Sequence, residues 1–217
     1  QLFYFKNPGD PKTLDVKFDF SITDSIILDN KIFFLSKNSN AIFVLDLNNL
    51  QLQKFLEKGI GDGKVLNPNA FTIKNNTIFI ADTSNNRVQA FDKNLIFLYN
   101  VGLGSKGYNF NYPTAIASNN DFIFVGDEKA KELYVINHEG DLIEKFNYSY
   151  LNFSAISSLS AQGRFLFIVS EQDKKISKFE INKEAASGNI EGKLDELYNN
   201  FELYKSNLSS LVSFLNL

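Results

Sequence analysis

Three carboxylates recur along the chain at nearly equal steps, Asp82, Asp127 and Glu171. Brought from separate segments to one rim, they would offer the several hard oxygens that a divalent cation needs. The place one step earlier holds Ser36, which breaks such a ring. A local role follows instead, with Asp82 accepting hydrogen bonds from the backbone of the turn at residues 84–87. The single histidine, His138, sits in Asn137-His-Glu-Gly140, which reads as a solvated turn. No catalytic residue and no metal ligand is assigned. The absence of cysteine removes disulfides, thiolate metal sites and cysteine nucleophiles.

Gly102-Leu-Gly104-Ser-Lys-Gly107 spells a G-x-G-x-x-G phosphate-binding pattern. Such a site needs a helix next, so that the helix N-terminus meets the pyrophosphate. The following Tyr108-Asn-Phe-Asn-Tyr-Pro113 is not helical, and the same place one step earlier holds Gly59-Ile-Gly-Asp-Gly63. These glycines therefore read as linker residues, and no cofactor is expected. The loops carry six aromatics, Tyr108, Phe110, Tyr112, Tyr148, Tyr150 and Phe153. Each offers large contact area, and the tyrosines add a polar tip, so they are candidate anchors of a protein interface. The alternative is that they wedge between repeats and complete the core.

The steps that relate these residues belong to an internal repeat. Lys31-Ile-Phe-Phe-Leu-Ser36, Thr77-Ile-Phe-Ile-Ala-Asp82, Phe122-Ile-Phe-Val-Gly-Asp127 and Phe165-Leu-Phe-Ile-Val-Ser-Glu171 end at spacings of 46, 45 and 44. A second set, Ala41-Ile-Phe-Val-Leu-Asp46, Arg87-Val-Gln-Ala-Phe-Asp92, Glu132-Leu-Tyr-Val-Ile-Asn137 and Lys175-Ile-Ser-Lys-Phe-Glu180, follows at 46, 45 and 43. The second repeat shows four short strands, near 70–73, 77–81, 87–91 and 95–99, parted by Asn- and Asp-rich turns. That length and strand count fit a β-propeller blade.

The stretch from Asn67-Pro68 to Gly107, with Ile78-Phe-Ile-Ala-Asp-Thr-Ser-Asn-Asn-Arg-Val-Gln-Ala-Phe-Asp92 at its heart, resembles the NHL-repeat family of β-propellers. The third repeat matches moderately, and the first and fourth match in period alone. The resemblance implies a propeller and a binding habit, and no single activity.

The expected fold is therefore all-β, a propeller of four NHL-like blades or part of a larger one, with a C-terminal amphipathic α-helix. Residues 1–182 form the propeller. Residues 1–20 contribute a strand, Leu2-Phe-Tyr-Phe5, that would complete the outer edge of the fourth blade. Residues 183–192 read as a linker, and residues 193–217 as the helix. Its stripe, Leu194, Leu197, Phe201, Tyr204, Leu208, Leu211 and Leu215, follows helical spacing. The stripe packs either on the chain's own propeller or on a neighbouring helical domain or second copy; the second reading is preferred, and Leu208, Leu211 and Leu215 join the loop aromatics as candidate interface residues for association through 193–217.

Composition limits the partners. A net charge of −3 and only two arginines, Arg87 and Arg164, argue against nucleic acid. No apolar run is long enough to span a membrane. The 27 Asn, and 20 Lys against 2 Arg, read as the bias of an AT-rich, bacterial genome. The chain starts at Gln1 with no visible signal peptide, and an exported or periplasmic setting is placed ahead of the cytoplasm. The expectation is a non-catalytic protein-binding scaffold in a larger assembly, such as a bacterial envelope. The alternative is a lactonase- or lyase-like propeller enzyme with a central metal.

Overall fold

In each repeat, runs of Ile, Phe, Val and Leu stop at residues that tolerate positive φ. Asp29 and Asn30 (φ 47° and 58°) and Asn75 and Asn76 (φ 50° and 61°) make two-residue turns. Such turns match the twist of the strands they join. The computed structural model describes residues 2–5, 11–14, 17–102 and 107–181.

Strands β1 (Leu2–Phe5) and β2 (Pro11–Leu14) pair as an antiparallel ribbon. The first blade is β3 (Asp24–Leu28), β4 (Lys31–Ser36), β5 (Ala41–Asp46) and β6 (Leu52–Phe55). A short parallel ribbon, β7 (Glu57–Lys58) with β8 (Lys64–Val65), follows in the linker. The second blade is β9 (Ala70–Lys74), β10 (Thr77–Asp82), β11 (Arg87–Asp92) and β12 (Phe97–Val101). The third is β13 (Pro113–Ser118), β14 (Phe122–Asp127), β15 (Glu132–Asn137) and β16 (Leu142–Asn147). The fourth has three described strands, β17 (Ser158–Gln162), β18 (Phe165–Ser170) and β19 (Lys175–Glu180). Every blade is an antiparallel meander, and the first strands of the four blades together line a central cavity of about 400 Å³.

The expected outer strand of blade 4 is placed elsewhere: Leu2–Phe5 pairs with Pro11–Leu14, the nearest complementary segment in the chain. A hairpin closes a loop of a few residues, whereas pairing with β19 would close one of more than 170, at a higher entropic cost. The predicted linker at 183–192 and helix at 193–217 lie outside the described residues. Among the described residues no helix is long and apolar enough to cross a membrane.

The core is a stack of three inter-blade layers. Phe33, Leu35, Ile42 and Val44 of blade 1 meet Ile78, Ile80 and Phe91 of blade 2. The other face of blade 2, with Phe79, Val88 and Ala90, meets Ile123, Val125, Tyr134 and Ile136 of blade 3. Phe122, Phe124, Leu133 and Val135 then meet Leu159, Leu166 and Ile168 of blade 4. Because strand side chains alternate between faces, one six-residue strand feeds two layers. This is why β10 and β14 are buried along almost their whole length.

Gly102 begins the second inter-blade linker with φ 74°, and a Cβ there would lie 2.6 Å from the Phe110 ring. Gly107 has φ 77° with open space around it. Gly102→Ala should destabilise by about 2–4 kcal/mol, from backbone strain plus overpacking. Gly107→Ala should cost about 1–2 kcal/mol, from the left-handed conformation alone. Urea unfolding of the two variants measures the difference.

Candidate functional site

Two of the three recurrent carboxylates, Asp82 and Asp127, are fully buried, and each is held by internal hydrogen bonds. Asp82 Oδ1 accepts the Leu66 N–H at 2.6 Å. Its Oδ2 accepts Asn85 Nδ2 (2.8 Å), Arg87 Nε (2.8 Å) and Gln89 Nε2 (3.0 Å). Arg87 and Gln89 then reach the linker before their own blade, with Arg87 Nη2 donating to Gly61 O and Lys64 O and Gln89 Nε2 to Lys64 O. Asn85 Nδ2 also donates to Gly59 O, and Thr83 Oγ1 donates to Pro113 O at the entry to blade 3. The expected acceptor role of Asp82 holds, but its donors are the linker backbone and three side chains rather than the backbone of its own turn. Asp127 takes backbone donors instead, Asn111 and Tyr112 from the linker and Lys129 and Ala130 from its turn.

In the fourth blade the register is corrected by one residue. The residue paired with the first position of the next strand is Ser36, Asp82, Asp127 and Ser170 in turn. Glu171 is exposed and lies beyond the strand. The carboxylate of this blade is Asp173, which accepts the Ser154 N–H (2.8 Å) and the Ser170 hydroxyl (2.7 Å). Hydrogen bonds from Ser154 and Ser170 hold its carboxyl down at about 2. No group of three His, Asp or Glu side chains gathers among the described residues.

The central cavity is lined mainly by Ser, Thr and Ala, with Asp24 as its one carboxylate. Asp24 accepts the backbone N–H groups of Phe71 and Ser25, and burial raises its pKa. His138 lies away from this cavity, its ring 6.1 Å from that of Phe79 and its carbonyl accepting Tyr99 Oη at 2.7 Å.

Four of the six loop aromatics proposed as interface anchors are buried between blades: Tyr108 and Phe110 in the layer of blades 2 and 3, Tyr148 and Phe153 in that of blades 3 and 4. The linkers run across the open ends of these layers, so a large side chain there fills the gap where two blades diverge. Tyr108 Oη donates to Gly140 O, and its ring packs edge-on against Phe110 at 5.6 Å. Burial, aided by neighbouring carboxylates, pushes the Tyr108 and Tyr148 phenols far upward. Tyr112 is half-buried, and Tyr150 stands 58% exposed. Leu208, Leu211 and Leu215 lie outside the described residues.

Tyr150 projects from a tight turn. Tyr150 N and Leu151 N donate to Asn147 O, Phe153 N donates to Tyr148 O, and Ser149 N donates to Asn147 Oδ1. Two lysines are tied to the backbone of the same linker. Lys131 Nζ donates to Ser154 O and pairs with Glu128, and Lys175 Nζ donates to Asn152 O. The ammonium of Lys175 lies 4.2 Å from the Phe153 ring centre, and that of Lys129 4.6 Å from the Tyr112 ring centre. Such lysines were not legible as a group in the sequence. Two turns, at 128–131 and 171–175, supply Lys131 and Lys175, and only the fold brings both to the linker that carries Asn152 and Ser154.

No protein-family model matches the chain. A stretch of 120 residues, 53% of the chain, is 27% identical to the protein brain tumor of Drosophila melanogaster and spans 12% of it. The computationally designed Ika4 protein superposes with a TM-score of 0.57 at 14% identity, over 76% of this chain and 94% of that one. Streptogramin B lyase gives 0.56 at 19% identity, over 81% and 60%. The WD40 repeats of RRP9 give 0.55 at 13%, over 76% and 52%. The described residues form a four-bladed β-propeller. The comparisons support an NHL-type repeat as a general pattern and do not narrow the propeller to the NHL family. They include both an enzyme and WD40 repeats, so the fold alone leaves activity open.

Two predictions follow from the clamps. Asp82→Ala removes the buried carboxylate from Arg87, leaving it only the exposed Asp62 at 3.5 Å, and should cost about 3–5 kcal/mol in urea unfolding. A loss under 1 kcal/mol would mean that Arg87 finds water or another partner. Asp173 has a depressed folded-state pKa, so its contribution is present above the ordinary value of 3.8 and lost as pH falls toward 2. An NMR titration of its side-chain carbonyl should give a midpoint near 2 in the wild type and a higher one in Ser170→Ala.

Proposed function

We propose that this propeller is a non-catalytic protein-binding platform, and that its contact surface is the rim of blades 3 and 4 around Tyr150. The observation that carries the reading is a large aromatic side chain standing in solvent on a rigid turn, 58% exposed, in a linker whose carbonyls at Asn152 and Ser154 hold Lys175 and Lys131. Exposed aromatics with a polar tip are enriched where proteins bind one another, and a turn already fixed in place loses little entropy on binding. Lys131 and Lys175 suit a partner that presents acidic groups around a pocket for Tyr150.

Asp82 and Asp127, the buried recurrent carboxylates, are engaged in holding linkers, and Asp24 is the one carboxylate lining the central cavity. This favours the binding reading over a lyase-like or lactonase-like one. The similarity to streptogramin B lyase is a likeness of fold.

Affinity purification of the tagged protein from its source cells, with nuclease treatment, tests the reading. Tyr150→Ser should deplete a discrete set of co-purifying proteins while stability stays within about 0.5 kcal/mol, as for other exposed positions. Ile60→Ser alters a residue that is 79% exposed in the linker between blades 1 and 2, and it should leave that set intact. An unchanged set with Tyr150→Ser, or recovery of nucleic acid in its place, would refute the proposal.

A further inference from the structure

The first strands of the four blades do not line the central cavity alike. One place on them pairs with the residue just before Ser36, Asp82, Asp127 and Ser170, and it holds Asp24, Ala70, Ala115 and Ser158 in turn. Three of these are small and leave the centre open, and the fourth is a carboxylate. The cavity they share, about 400 Å³, falls within the size of small-molecule sites, about 300–1,000 Å³.

Asp24 differs from the carboxylates that hold linkers. Asp82 and Asp127 are fully buried, and each accepts four hydrogen bonds. Asp24 is half-buried and accepts two, the Ser25 N–H on Oδ1 at 2.8 Å and the Phe71 N–H on Oδ2 at 3.2 Å. A carboxylate has about four acceptor sites, so each oxygen keeps one for something in the cavity. No lysine or arginine among the described residues pairs with Asp24, and burial raises its pKa. A partly desolvated charge of this kind is stabilised by a cation that reaches it.

Hydroxyls surround the same space. Thr23 and Ser157 hold the preceding place in blades 1 and 4, and their hydroxyl oxygens accept the N–H groups of Lys37 and Glu171 at 3.0 and 2.9 Å. Each therefore keeps its hydroxyl proton to donate. At that place in blade 3, Thr114 Oγ1 is buried and has no partner among the described residues. Deeper along the strands Thr72 and Ser118 bond each other at 2.8 Å, tying blade 2 to blade 3.

We propose that the central cavity binds a small organic cation, a protonated amine that carries hydroxyl groups of its own, with Asp24 as counter-charge and Thr23, Thr114 and Ser157 as hydrogen-bonding partners of the ligand's oxygens. Asp24 repels an anion. One carboxylate among hydroxyls is a poor set for a divalent cation, which takes several carboxylate or carbonyl oxygens. A bare alkylamine would pair Asp24 but leave the Thr114 hydroxyl buried without a partner, and that cost favours a ligand with hydroxyls. Tyr150 does not line this cavity, so the site is separate from the rim assigned to protein binding.

Backbone amide NMR of the full chain tests the site, with glucosamine as the probe below the pKa of its amine, and with glucose and glucuronate as controls of similar size. Glucosamine should shift the Ser25, Phe71 and Thr114 amide signals saturably and bind about tenfold or more tighter than glucose, from the charge-assisted bond to Asp24. Glucuronate should not shift them. Asp24→Asn retains an oxygen for the Phe71 N–H and should lower the glucosamine affinity to that of glucose. Ser158→Leu changes an exposed cavity residue, leaves Asp24 intact and should abolish glucosamine binding by filling the space. No saturable shift with glucosamine, equal affinity for glucose and glucosamine, or glucosamine binding unaltered by either substitution would each overturn the proposal.

Discussion

A buried carboxylate that holds the backbone of a neighbouring linker is the constraint on which the rest of this molecule rests. A propeller blade is a twisted meander that packs on its neighbours through flat apolar faces, and apolar contact alone does not fix how far one sheet slides over the next. Asp82 removes that freedom for blade 2 by accepting the Leu66 N–H while it gathers Asn85, Arg87 and Gln89, which bond the carbonyls of Gly59, Gly61 and Lys64. Asp127 does the same for blade 3 with backbone donors only. Blade 4 divides the task between Ser170 and Asp173. In blade 1 the acceptor is Asn40, whose Oδ1 takes the N–H of Asn67 across the junction with blade 2. Buried polar groups of this kind are expensive to leave unpaired, and that cost makes the register specific.

The period, the strand triplets and the turn chemistry were legible because they are local. Asn75-Asn76 announces a tight turn wherever it stands, and the alternation of Thr77-Ile-Phe-Ile-Ala-Asp82 announces a strand with two buried faces. The glycine-rich run was also readable as linker, since Tyr108–Pro113 cannot form the helix a phosphate site requires. What escaped the sequence depends on residues a repeat or more away. Tyr148 and Phe153 look like loop aromatics, yet Leu159, Leu166 and Ile168 of the following blade bury them. Glu171 looks like the fourth member of the carboxylate series. The pairing of Ser170 with Lys175 shifts the series by one residue and passes the role to Asp173.

The candidate site illustrates the same limit from the other side. Tyr150 was among the six aromatics named from the sequence, but its companions there were mostly core residues. Its linker also holds two lysines, contributed by the turns at 128–131 and 171–175 and tied to the carbonyls of Ser154 and Asn152. The clamps and the rim are linked physically, because the Ser154 whose N–H is held by Asp173 also offers its carbonyl to Lys131. Structural hydrogen bonds thereby fix the surface that we assign to binding.

The central claim is that the rim around residue 150 meets a protein. Replacing Tyr150 with a photo-reactive phenylalanine analogue in the source cells, irradiating, and identifying the adducts by mass spectrometry tests it most directly. The account predicts a small, reproducible set of protein adducts that is absent when the same analogue stands at position 60. Adducts to nucleic acid, or labelling from position 150 that is no richer than from position 60, would contradict it.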